Sequence, residues 1–207
     1  QGIEADNLSA NNDATPISSP WIYNASFIGD PLTDRGAESD IGVLLREGTA
    51  GHLRNFIVQG FKESAVDVDD VSTVNRINAD QLTFSHSLFY GNCVAASDST
   101  GCTGSEGANQ FSTEQDTVVN EKEDLGNFTT AAWMTGEATN RTMDPLLRDV
   151  ELFWAPDFRP ALNSPALDQR FIENPPDDGF FTTPVNFSGC AGPTDDWFKG
   201  WSYFGPF

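Results

Sequence analysis

The 207-residue sequence is short of positive charge: 11 Lys and Arg stand against 31 Asp and Glu, a net charge of -20. Such a surface repels phosphate backbones and anionic headgroups, which excludes nucleic acid and acidic membranes as partners. No apolar run approaches the roughly 18 residues of a transmembrane helix, and no basic-then-apolar leader opens the chain, so no membrane insertion is expected. Histidine is limited to His52 and His86. The sequence has no GxSxG, no CxxC or Cys/His pair at zinc spacing and no glycine-rich phosphate loop, so the common serine-hydrolase, zinc and nucleotide templates drop out. Helical periodicity over eleven or more residues is scarce, and only segments near 114–124 and 130–137 suit short helices.

Cysteine is sparse, at three residues. Cys93 and Cys102 bracket CVAASDSTGC, and this small polar linker predicts a disulfide, a staple that persists in an oxidising compartment. Three buried thiols, packing as small apolar groups, are the alternative. Cys190 is the odd one, expected to be free or joined to a segment outside this chain. Few lysines, the acid excess and frequent Asn, Ser and Thr agree with an extracellular or cell-surface location. Five N-x-S/T sequons, beginning at Asn7, Asn24, Asn127, Asn140 and Asn186, carry glycans only in a eukaryotic source.

What the sequence does contain is a repeat. IYNASFIG (22–29), LRNFIVQG (53–60) and FSHSLFYG (84–91) align without gaps at a period of 31. Ile22, Leu53 and Phe84 coincide, as do Asn24, Asn55 and His86, and Gly29, Gly60 and Gly91. Between them lie IGVLL (41–45) and AVDV (65–68), offset by about 23 residues, close to one coil of a parallel β-solenoid; an insertion such as VSTVNRINAD (71–80) accounts for the longer period. Like stacked on like makes a polar ladder of Asn24, Asn55 and His86, with the three glycines at one tight corner where positive φ is easy. An antiparallel sandwich, the rival, calls for two-residue NG or DG hairpins that this region lacks.

Residues 1–29, 42–70 and 82–92 resemble the central rungs of a family of exported bacterial right-handed parallel β-helix proteins, whose members include lipoproteins, secretion-system cargo and pectate-lyase-like repeat proteins. Segment 144–168 is similar to the final coil of such proteins, and DDWFKGWSYF (195–204) to their tryptophan-containing closing strand. The resemblance implies an all-β fold in one domain: coils over 1–92, an excursion with short helices over 93–143, and a final coil and aromatic cap over 144–207. It also implies further rungs before residue 1, so a longer parent chain is expected. The missing N-terminal half, or further copies stacking head-to-tail, is then the expected partner.

Three clusters are candidate sites. Asp67, Asp69 and Asp70 in DVDD, joined by Glu4, Asp6 and Asp13, offer the oxygen-rich surroundings of a calcium ion; a solvated turn is the alternative. The 23-residue offset puts Arg46 beside Asp69, a surface pair worth at most about 1 kcal/mol. A polysaccharide lyase needs a cationic base near such acids, for which Arg46, Arg54 and Lys62 are the candidates. A hydrolase needs two carboxylates about 5 to 10 Å apart, which 31 acids leave unselected. His86 reads as a stacked structural residue rather than a base. The rings of Trp197, Phe198, Trp201, Tyr203, Phe204 and Phe207 suit an end cap or a sugar platform. The resulting expectation is a non-enzymatic structural or adhesive protein; a carbohydrate-active enzyme or a glycan-binding module is the alternative.

Overall fold

The computed structural model describes residues 1–30, 39–92, 111–112, 127–150, 155–181, 184–200 and 202. Its body is a parallel β-helix of four coils. The first holds β1 (Ile3–Ala5), β2 (Trp21–Tyr23) and β3 (Ser26–Ile28); the second β4 (Ile41–Leu45), β5 (Gly51–Arg54) and β6 (Ile57–Gln59). The third holds β7 (Ser64–Val68), β8 (Leu82–Ser85) and β9 (Leu88–Tyr90), after helix α1 (Val71–Asn78) has intervened between β7 and β8. The fourth is β10 (Phe111–Ser112), helix α2 (Thr130–Gly136) and β11 (Arg141–Thr142). The strands stack into three parallel walls, β1-β4-β7-β10, β2-β5-β8 and β3-β6-β9-β11.

The register is the one the repeat predicts. Ile22 lies beside Leu53 and Leu53 beside Phe84, and Ile41 beside Ser64, 23 residues on. The 71–80 insertion holds α1, a helix not expected from the sequence because its apolar positions Val71, Val74 and Ile77 span too few residues for periodicity to register. Inward-facing residues form a column of rings, with Phe27 against Phe56 (5.6 Å between centroids), Phe56 against Phe84 (5.2 Å), Phe84 against Phe89 (5.6 Å) and Phe89 against Phe111 (5.0 Å). Each ring is supported from the neighbouring coil, as stacking of incomplete repeats requires.

The positive-φ position of each corner falls on the ladder itself. Asn24, Asn55 and His86 adopt φ of 59°, 58° and 56°. Asparagine and histidine tolerate this left-handed conformation better than most residues. Gly60 and Gly91 are also left-handed, while Gly29 is not; a Cβ on Gly29 would sit 2.7 Å from the Gly60 carbonyl oxygen, so close approach of adjacent coils explains that glycine.

Two boundaries differ from expectation. The fourth coil takes β10 and β11 from the 93–143 excursion, and the described residues of 144–168 add no parallel rung. There, β12 (Leu147–Asp149) and β13 (Asp157–Pro160) pair antiparallel; the few residues between them are too short for a parallel crossover, which needs a dozen or more. In the fourth coil, the buried Met134 of α2 joins the core, with Ala131 and Trp133 packed against it. Of the ring-rich C-terminal run, Phe198 packs on Phe158 (5.2 Å) and Trp197 on Phe198 (5.4 Å); Trp201, Tyr203, Phe204 and Phe207 lie outside the described residues.

Candidate functional site

On a β-strand alternate residues face opposite ways, so burying Ile22, Leu53 and Phe84 turns their neighbours outward on the β2-β5-β8 wall. The outward rows are Trp21, His52 and Thr83, then Tyr23, Arg54 and Ser85. His52 Nδ1 lies 2.7 Å from the Thr83 hydroxyl, and its ring meets that of Trp21 edge-on at 4.3 Å. Arg54 donates to the carbonyls of Leu53 (2.9 Å) and Thr83 (3.0 Å) and to Thr83 Oγ1 (2.7 Å).

Across this wall runs a C-terminal strap, residues 164–181 and 184–192, which docks on the asparagine corners. Asn24 Nδ2 donates to the carbonyls of Phe187 (2.6 Å) and Gly189 (3.2 Å). Fully buried Asn55 donates to Asn24 Oδ1 (3.1 Å) and the Glu173 carbonyl (2.7 Å) and accepts the Glu173 N–H (3.0 Å). The Gly189 N–H reaches the Asn55 carbonyl at 2.7 Å. Gly189 has φ of 86°, and a Cβ there would lie 2.6 Å from Ile57 Cδ1, so glycine alone lets the strap approach.

Glu173 is the clasp. Its Oε1 accepts from the Tyr23 hydroxyl at 3.3 Å, and its Oε2 lies 3.1 Å from Arg54 Nε and 3.2 Å from His86 Nδ1. Burial, then the Glu173 charge, pushes the Tyr23 phenol up. Burial holds His86 below its ordinary value despite Glu173, and burial with Arg54 does the same for His52. Both imidazoles are therefore neutral at neutral pH. His86 Nδ1 also lies 2.8 Å from the Ser85 hydroxyl, its hydrogen-bond partner. Beside it, the Thr139 hydroxyl donates to Glu137 (2.7 Å) and holds that carboxyl below the usual range. With both carboxylate oxygens and both backbone groups of Glu173 engaged, the cluster is built to fasten the strap.

Where strap and wall part, they leave an open recess of about 410 Å³ lined by Trp21, Pro176, Asp178, Phe180 and Phe181. Trp21 is 49% exposed and Phe180 82% exposed, which is far more apolar ring than such residues usually show. Phe181 is braced by Tyr23 at 5.2 Å and by Phe180 at 5.1 Å. Asp178 Oδ1 accepts the N–H groups of Phe180 (2.9 Å) and Phe181 (3.2 Å), fixing the turn that presents the rings.

The three basic candidates fall in separate places. Arg46 lies level with Asp69, as the spacing predicts, but its guanidinium reaches the first coil, with Nε 3.1 Å from Asp6 and Nη2 on Glu4. Arg54 is on the strap-covered wall, and Lys62 is buried after β6. Asp67 faces outward from β7 yet is buried, while Asp70 starts α1 and accepts the Glu47 N–H through Oδ2. Among the described residues no three His, Cys, Asp or Glu side chains gather at a metal-holding spacing, and no helix is long and apolar enough to cross a membrane. Asp13 pairs with Arg76 at 2.6 Å. Cys190 carries a free thiol, pushed up by burial; Cys93 and Cys102 lie outside the described residues.

Sequence reasoning missed Trp21, Tyr23, Glu173, Asp178, Phe180 and Phe181. The 31-residue alignment held a signal for the first two, which flank Ile22 just as His52 and Arg54 flank Leu53. The strap has no repeat and gave none.

No curated protein and no solved structure matches the chain. Over residues 1–138, two thirds of its length and everything from the first coil to helix α2 of the fourth, it matches the model of the pectate-lyase-like β-helix domain. The stacked walls and the family match agree, and the chain belongs to the pectate-lyase-like β-helix family.

Proposed function

We propose that this protein is a non-catalytic, exported β-helix that acts in adhesion at the cell surface by gripping a glycan in the recess between wall and strap. The observation that carries this reading is the pairing of exposed, braced rings on a rigid support. Flat aromatic faces cover the apolar faces of sugar rings while polar neighbours meet the hydroxyls. Trp21 is held by the β2-β5 ladder and Phe181 by Tyr23, so little side-chain freedom is lost on binding. Arg46 is engaged by Glu4 and Asp6 and Arg54 by Glu173, which supports a structural use of these two cations over service as a lyase base.

A carbohydrate-active enzyme is the second reading, favoured by His86 lying against Glu173 and within the electrostatic reach of Glu137. Incubation with acidic and neutral polysaccharides, with and without calcium, separates the two. Retention without new reducing ends or unsaturated products supports adhesion, whereas turnover abolished by Glu173→Gln establishes the enzyme.

A further inference from the structure

The recess has a charge as well as a shape. Its rim carries the carboxylate of Asp178, with exposed Asp177 adjacent, and among the described residues that line it none is cationic. The nearest guanidinium on the wall, Arg54, is committed to Glu173 and to the Thr83 carbonyl. His52, which abuts Trp21, is neutral at neutral pH and does not repel a cation. The whole chain carries -20. Rings of Trp21, Phe180 and Phe181 next to a carboxylate form the surroundings in which an ammonium gains twice, from the negative faces of the rings and from the nearby charge. A uronate meets the same features as repulsion.

Resting on the adhesion reading, we infer that the recess selects glycans bearing a free ammonium, that is, oligomers of amino sugars, over their N-acylated forms and over polyuronates. The aromatic faces supply contact to any sugar; Asp178 supplies the discrimination. Because Asp178 is exposed, the gain from its charge is modest and salt-sensitive, about two- to fivefold in affinity at low ionic strength.

The test compares a β-1,4-glucosamine hexamer, the same hexamer N-acetylated, and a galacturonate hexamer, by calorimetry at about pH 6, where the amino sugar is charged. The expected result is tightest binding of the free-amine hexamer, a preference over the acetylated form that vanishes in about 0.5 M salt, and weakest binding of the uronate. Asp178→Ser, whose hydroxyl can still accept the Phe180 N–H, should bring the free-amine and acetylated hexamers to equal affinity, because it removes the charge that tells them apart. Trp21→Ala should weaken all ligands. Equal or tighter binding of the acetylated hexamer or of the uronate, or an unchanged preference in Asp178→Ser, overturns the inference and leaves the adhesion reading standing. Failure of all three sugars to bind overturns both.

Discussion

Asn55→Ala is the sharpest perturbation of the wall-and-strap arrangement. Asn55 is fully buried, holds φ of 58° and makes three side-chain hydrogen bonds, two to the backbone of Glu173 and one to Asn24. Each bond is worth about 1 kcal/mol net, and the partners stranded at a buried site add to that. Alanine at a left-handed position costs a further 1 to 2 kcal/mol or so. The expected loss is about 4 kcal/mol, a large part of the roughly 5 to 15 kcal/mol of a typical domain. Asn55→Gly keeps the conformation and loses only the bonds, so it should cost about 1 kcal/mol less than alanine. Asn55→Asp keeps the acceptor for the Glu173 N–H but points a carboxylate at two oxygens, and should be at least as damaging as glycine. Urea denaturation supplies the free energies, and hydrogen exchange at Glu173, Ser188 and Gly189 reports the strap. An alanine variant within about 1 kcal/mol of the parent, or strap amides as protected as before, would refute the idea that the ladder holds the strap.

Further outcomes follow from the same geometry. Phe56→Ala, at the centre of the ring column, should cost about 3 to 5 kcal/mol in chemical denaturation. Gly189→Ala should speed exchange across the strap while leaving the coils folded, because its Cβ collides with the side-chain ends of Ile57 and Ser26 where the strap docks. His52 and His86 both lie below the ordinary 6.5, so the unfolded chain takes up protons first as pH falls. Stability from this source is full above about 6.5 and lost as pH drops through the folded-state values. A Tm series from neutral pH downward should show that loss, flattened in a His52→Gln, His86→Asn double variant. Asp168, beside Arg170 and held at about 2, together with Glu137 and Asp157, titrates in a separate and more acidic window.

The coils were legible because a solenoid repeats its environment. Leu53 needs what Ile22 needs, and Asn55 what Asn24 needs, so alignment of the chain with itself exposed register, corners and the wall. Elements outside the stack were harder. Helix α1 is only eight residues long, and β12 and β13 resemble rungs in composition while pairing antiparallel. For Phe198 and Trp197, ring density shows that burial is needed without showing the partner, which for Phe198 is Phe158 of β13. Glu173 was invisible for a further reason. It works by reaching 119 residues back to Arg54 and 150 back to Tyr23, and single-chain spacing carries no trace of such a contact.

A crystal structure of the protein soaked with a glucosamine hexamer shows whether the recess between wall and strap is the glycan site. The expected result is an intact oligosaccharide with a sugar ring against Trp21 and Phe181, its amine toward Asp178, and the Glu173 contacts to Tyr23, Arg54 and Asn55 unbroken. A cleaved sugar beside His86 and Glu137, or an oligosaccharide seated on the β1-β4-β7 wall next to Arg46 with the recess empty, would contradict it.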